Sequence, residues 1–190
     1  MEEALVRLAR AVGVLVLIPT VLIGCSTKSG SANALPASVQ PPDPCSLLTA
    51  ATIESALHLR IGSTESSGPA TSTVAQRSCA WSQKSTGSLT LIVHTQAAED
   101  ATVRSRPIAQ NIRFTLQDMY ATAAPTAPPV KGIGDAAKLV TLPNGDRVLY
   151  VLTGSTSFEF STAELPGTPL DGLLGLAKIV VQETSKEIRQ

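Results

Sequence analysis

Reactive side chains are scarce in this chain of 190 residues: two histidines, three cysteines and fifteen carboxylates. His94 has the chemistry of a general base, with Asp100, Asp118 or Asp135 as orienting carboxylate and one of many serines as nucleophile. The serine lacks its usual setting. A nucleophile elbow needs Gly-x-Ser-x-Gly, whereas Gly154-Ser155-Thr156-Ser157-Phe158 has Thr156 and Phe158 at the second and third motif positions. His58 sits in a helical pattern and reads as a surface or packing residue, as does His94 on a strand. Gly132-Ile133-Gly134-Asp135-Ala136-Ala137 matches a dinucleotide-binding pattern, but that loop must follow a strand and open a helix. Here a Pro-rich segment precedes it and a strand pattern follows. The motif therefore reads as a tight turn in which Asp135 bonds local amides. No two His, Cys or acidic residues stand at a metal-ligand spacing, so no metal or other cofactor is expected. Glu99-Asp100 fits the start of a helix.

The cysteines carry the clearest chemistry. Arg7 and Arg10 precede an apolar run of 13 residues, Ala11 to Ile23, followed by Gly24-Cys25. A membrane-spanning helix needs about 20 apolar residues, and Pro19 interrupts this one. A positive flank, a short apolar stretch and a small residue before the processing point are the parts of an export signal. Leu22-Ile23-Gly24-Cys25 resembles the bacterial lipobox, which implies a diacylglyceryl thioether on Cys25 and cleavage before it. Residues 1–24 are then a lipoprotein signal peptide, and localisation is the extracytoplasmic face of the cell membrane, through the covalent lipid anchor. Two acyl chains anchor stably where one is marginal.

With Cys25 consumed, Cys45 and Cys79 form an even pair in an oxidising compartment, which favours a disulfide. The alternatives are a redox pair, more often Cys-x-x-Cys, or zinc, which needs two further ligands. Trp81, two residues beyond Cys79, fills a core over such a bridge or stacks on a ligand ring.

The elements that must carry these residues form one domain. Formal charge is zero, with 15 basic and 15 acidic residues, and this excludes a basic nucleic-acid binder. Residues 25–42 read as a lipidated Cys followed by a disordered Ser/Pro-rich tether, spanning about 23 Å on average. Leu35 and Val39 are the places where it could instead pack as an ordered arm. Residues 43–190 are expected to be a single α+β domain: an antiparallel sheet of five or six strands packed by two or three long helices. Thr49 caps a helix over 50–59. Strands are expected at 60–64, 79–82, 88–95, 136–142, 147–153 and 157–161, with turns at Asn144-Gly145 and Gly154-Ser155. In 88–95, Leu89, Leu91 and Val93 share one face, leaving Thr90, Ile92 and His94 on the other. Helical character runs from 97 to 120 with a break near Pro107. Ile108, Ile112, Leu116 and Met119 make its apolar stripe. A terminal helix over 170–188 turns Leu170, Leu173, Leu174, Ala177, Val180 and Val181 inward.

Asp43-Pro44-Cys45-Ser46-Leu47-Leu48-Thr49, Cys79-Ala80-Trp81 and Gly132-Ile133-Gly134-Asp135-Ala136-Ala137 occur in that order behind the lipobox. The chain thereby resembles the actinobacterial envelope lipoprotein family catalogued as domain of unknown function 3558, across essentially the whole mature domain. The resemblance implies a cell-envelope lipoprotein with a Cys45–Cys79 bridge and brings no activity. A neighbouring lipoprotein group implies a PsbP-like sandwich by analogy. The function expected is a non-enzymatic binding module contacting an envelope protein, lipid or glycan. The alternatives are an accessory or scaffold subunit and, third, an envelope hydrolase. A ligand cavity would lie between sheet and helix, lined by Ile108, Ile112, Phe158 and Phe160.

Overall fold

Alternation and capping explain the elements found in the computed structural model, which describes residues 34–84, 87–105, 115–165 and 167–187. Lipidation at Cys25, the signal segment, Ile108 and Ile112 lie outside them. Strands β1 (Ser63–Ser66), β2 (Gln76–Ser82), β3 (Ser88–Thr95), β4 (Pro129–Val130), β5 (Ala136–Thr141), β6 (Arg147–Thr153) and β7 (Thr156–Ala163) form one antiparallel sheet in the order β1-β2-β3-β7-β6-β5-β4. Helices are α1 (Pro44–Leu47), α2 (Ala50–Leu57), α3 (Gln96–Ser105), α4 (Leu116–Thr122) and α5 (Leu170–Glu187).

The α+β class agrees with the sequence, while the sheet has seven strands rather than five or six. The additional strand is β4, two residues paired with Lys138 and Ala137. It is too short to show alternation, and Pro129 is tolerated because an edge strand need not donate a ladder hydrogen bond.

Two meanders, β1-β2-β3 and β4-β5-β6-β7, meet where β3 pairs with β7. The turn between β5 and β6 contains Pro143, whose fixed φ suits the first central position of a type I turn. Gly145 then takes the left-handed conformation (φ 87°) and Leu142 N donates to Asp146 O at 2.8 Å, a three-residue hairpin closed by a bulge. Between β6 and β7, Gly154 supplies the positive φ of a two-residue turn.

One sheet face holds the core. Cys79, Trp81, Leu89, Leu91, Val93, Leu149, Val151, Phe158 and Phe160 pack against Leu47 and Leu48 of the α1 region, Ile53 and Leu57 of α2, and α5. Asp43 caps α1 by accepting from Cys45 N at 3.0 Å, and its carboxylate pairs with Arg77 at 2.9 Å. Cys45 and Cys79 are joined as a disulfide, Cα–Cα 5.3 Å, stapling α1 to β2. Trp81 is 1% exposed, in the same cluster as Cys79. It is core, with no ring face left for a ligand.

Three expectations need correction. Thr49 does cap α2, but the helix ends at Leu57 because His58 adopts φ 55°, a left-handed stop. Leu170 is 38% exposed rather than inward, whereas Leu176 is buried. The buried stripe of α5 is Leu173, Leu176, Ala177, Val180 and Thr184, spaced by three and four. Finally, the segment 34–42 is not a tether. Leu35 is 9% exposed against Ala70, Ala75 and Ala98. The Gln40 amide donates to Leu35 O (2.7 Å) and Ala70 O (3.0 Å) and accepts from Ala70 N (2.8 Å). One side-chain amide thus satisfies three backbone groups, which an exposed Ser/Pro composition does not reveal.

Candidate functional site

The sheet face opposite the core carries the polar chemistry. Alternation in β3 turns His94 and Ile92 to this face, and in β7 it does the same for Ser157 and Glu159. Pairing then builds two adjacent rows. One runs Ile92, Glu159, Tyr150, Lys138; the other runs His94, Ser157, Leu152, Ala136.

Helix α4 lies over β6 and β7 on this face. Its start is fixed twice. Thr115 Oγ1 accepts from Asp118 N at 3.0 Å while Asp118 accepts from Thr115 N at 3.1 Å, a capping box. Thr115 Oγ1 also donates to the Asp118 carboxylate at 2.6 Å, and this bond, with the one from Thr115 N, holds that carboxyl below its usual range. Leu116 N also donates to Gln96 Oε1 at 2.9 Å, tying α4 to the beginning of α3.

Between α4 and the two rows is a cavity of about 80 Å³, lined chiefly by His94, Met119, Tyr120, Tyr150, Ser157 and Glu159. That is room for two or three water molecules, far below the 300 Å³ and more of a small-molecule pocket. His94 Nδ1 lies 3.3 Å from Glu99 Oε1, so Glu99, in the first turn of α3, engages the imidazole as well as favouring the helix start. Burial pushes the Glu159 carboxyl above its usual range, and His94 opposes that only in part. Burial also raises the Tyr120 and Tyr150 hydroxyls, helped at Tyr150 by Glu159, and lowers the Lys138 ammonium. Lys138 is 6% exposed and sets its Nζ over the Tyr120 ring, 4.5 Å from the centroid.

Ser157 stands across from His94 in the β3–β7 register and Glu99 engages the imidazole, so residue types of a nucleophile, a base and an orienter are neighbours here. Ser157 makes no hydrogen bond to His94 among the described residues, and the carboxylate is Glu99 rather than Asp100, Asp118 or Asp135. Asp135 instead accepts from Gly154 N at 2.6 Å, bracing the turn between β6 and β7 rather than its own loop. The glycine motif is a turn: Gly132 and Gly134 both have positive φ, and β5 follows. Among the described residues, no three His, Cys, Asp or Glu side chains are grouped to hold a metal, and no helix is long and apolar enough to cross a membrane.

Of the four cavity residues expected, Phe158 and Phe160 both turn their side chains into the core, and Phe158 borders the cavity only as part of β7. Glu159, Tyr150, Tyr120 and Met119 were not foreseen. Alternation in 156–163 is the signal that could have exposed Glu159, since Phe158 and Phe160 flank it. No family model matches the chain, and comparison with curated proteins finds none similar to it.

Proposed function

We propose that the protein is a lipid-anchored extracytoplasmic lipoprotein of the envelope, akin to the domain-of-unknown-function 3558 group, and acts as a non-enzymatic binding module. The observation that carries this reading is the cysteine arrangement. Cys45 and Cys79 are bridged inside the core, leaving Cys25 as the remaining cysteine, within Leu22-Ile23-Gly24-Cys25. A core disulfide belongs to an oxidising compartment, and the lipobox supplies the route there. The small cavity favours recognition of a larger partner over enclosure of a whole metabolite. A PsbP-like sandwich is kept as the fold analogy within this reading, supported by the helices on both faces of the antiparallel sheet. An accessory subunit of an envelope complex is the second reading, favoured by the same small cavity.

Expressed in a bacterium that processes lipoproteins, the protein is expected to partition into detergent and to gain a diacylglyceryl mass on Cys25. Identical processing and partitioning of Cys25→Ala would refute the anchor. Turnover of an envelope ester or glycoside, lost in His94→Ala, would refute the binding module.

A further inference from the structure

The cavity beneath α4 is lined by one carboxylate, Glu159, and by an imidazole, His94, that a second carboxylate outside the lining already engages. Glu99 faces His94 from α3 at 3.3 Å, and Glu159 faces it from β7. One imidazole, even protonated, neutralises one carboxylate and leaves the other. The other titratable groups around the cavity are Tyr120 on α4, Tyr150 on β6 and Lys138 on β5. Lys138 does not line the cavity; its ammonium is directed at the Tyr120 ring, and it forms no ion pair among the described residues. Glu159 takes no hydrogen bond from a described residue. Its raised carboxyl range has the same origin, a half-buried charge without a full partner.

The walls complete the pattern. Two tyrosines flank the carboxylate, and aromatic faces attract ammonium groups. Met119 and Ala123 add apolar wall suited to a methylene stem. The volume, about 80 Å³, admits an ammonium with one or two methylenes and excludes a sugar ring, since water alone takes about 30 Å³.

We propose that this cavity receives the ammonium end of a lysine side chain from a partner polypeptide, with Glu159 as counter-ion and Tyr120 and Tyr150 as flanking walls. This goes beyond the proposed function and stands whether or not Cys25 carries lipid.

The test is an NMR titration of the full-length chain in detergent micelles, following the Met119 methyl and the His94 ring. The probe is Nα-acetyl-lysine methylamide. Its Nε-acetylated analogue, which lacks the charge, and glucosamine are the comparison arms. Saturable shifts with the lysine probe are expected, with affinity at least about tenfold weaker for the uncharged analogue and for Glu159→Gln, the loss of one ion pair across a partly desolvated site. Ala123→Leu, which narrows the cavity from the α4 side without touching the carboxylate, should weaken the probe similarly while leaving Trp81 fluorescence native. The assignment is overturned if the uncharged analogue binds as well or if glucosamine saturates the same signals more tightly. It also fails if the folded Glu159→Gln and Ala123→Leu proteins both bind like wild type.

Discussion

Replacing both bridged cysteines, Cys45→Ala with Cys79→Ala, isolates the contribution of the staple between α1 and β2. The sequence separation is 34. In the chain-entropy relation, a loop of that length removes about 12.6 cal/mol/K from the unfolded chain, or roughly 3.8 kcal/mol at 25 °C. Cys79 is fully buried among Trp81, Leu89 and Leu91, so losing its sulfur adds a small cavity cost of about 1 kcal/mol. Cys45, only partly buried, adds less. The sum, about 4–5 kcal/mol, is a large part of the stability of a domain this size. The melting temperature should fall by roughly 8–20 °C. The single tryptophan, Trp81, lies in the same cluster as the bridge and reports the transition by fluorescence. Far-ultraviolet circular dichroism in urea supplies the independent probe, because a disulfide can itself quench a nearby indole. A loss below about 1 kcal/mol with unchanged m-value would refute the reasoning, since the entropic term alone exceeds that. Two free thiols in non-reducing peptide maps of the exported wild type would refute it at an earlier step.

Further outcomes follow from particular positions. A Cβ on Gly172 would be driven into the carbonyl oxygen of Ala56 where α5 crosses α2, whereas Gly175 has open space around it. Gly172→Ala should therefore destabilise by about 1–3 kcal/mol and Gly175→Ala should stabilise by about 0.5–1 kcal/mol through helix propensity; equal effects in denaturant melts would contradict the crossing. Asp146 is buried after the β5–β6 turn and accepts from Glu164 N (3.1 Å) and Leu165 N (3.2 Å). Asp146→Ala should cost about 2–4 kcal/mol by stranding those donors, and amide exchange at Leu165 should accelerate; unchanged protection there would argue against the contact. For Glu159 the folded state binds its proton more tightly than the unfolded chain does, the ordinary value being 4.5. Its contribution to stability therefore falls as pH rises through the window above 4.5. Glu159→Gln should raise the melting temperature at pH 7 and make little difference at pH 4; the opposite pH trend would reverse the assigned sign.

Local signals made much of the fold readable. Apolar alternation in 88–95 marked β3 and placed His94 opposite Leu91 and Val93, because a strand's side-chain period is two whatever it pairs with. Thr49 announced α2 because a cap is a local hydrogen bond. Leu170 was misplaced because helical periodicity fixes a stripe only to within its border, and the burial of Leu176 depends on where α2 and the sheet meet α5. The ordered arm at 34–42 was hidden for a related reason. Its stability comes from Gln40 reaching Ala70, 30 residues away, and no composition of Ser, Pro and Ala encodes that.

The sequence by itself determined most element types, the turn positions, the zero net charge and the pairing arithmetic of Cys45 with Cys79, since each depends on neighbours along the chain or on residue type. Tertiary structure decided which polar residues share a site. Glu159, Tyr150 and Tyr120 come from three elements, and they line one cavity with His94 only because β3 pairs with β7 and α4 lies across β6 and β7. Strand order is a global property: many orders bury the same apolar faces, and long-range packing selects one of them.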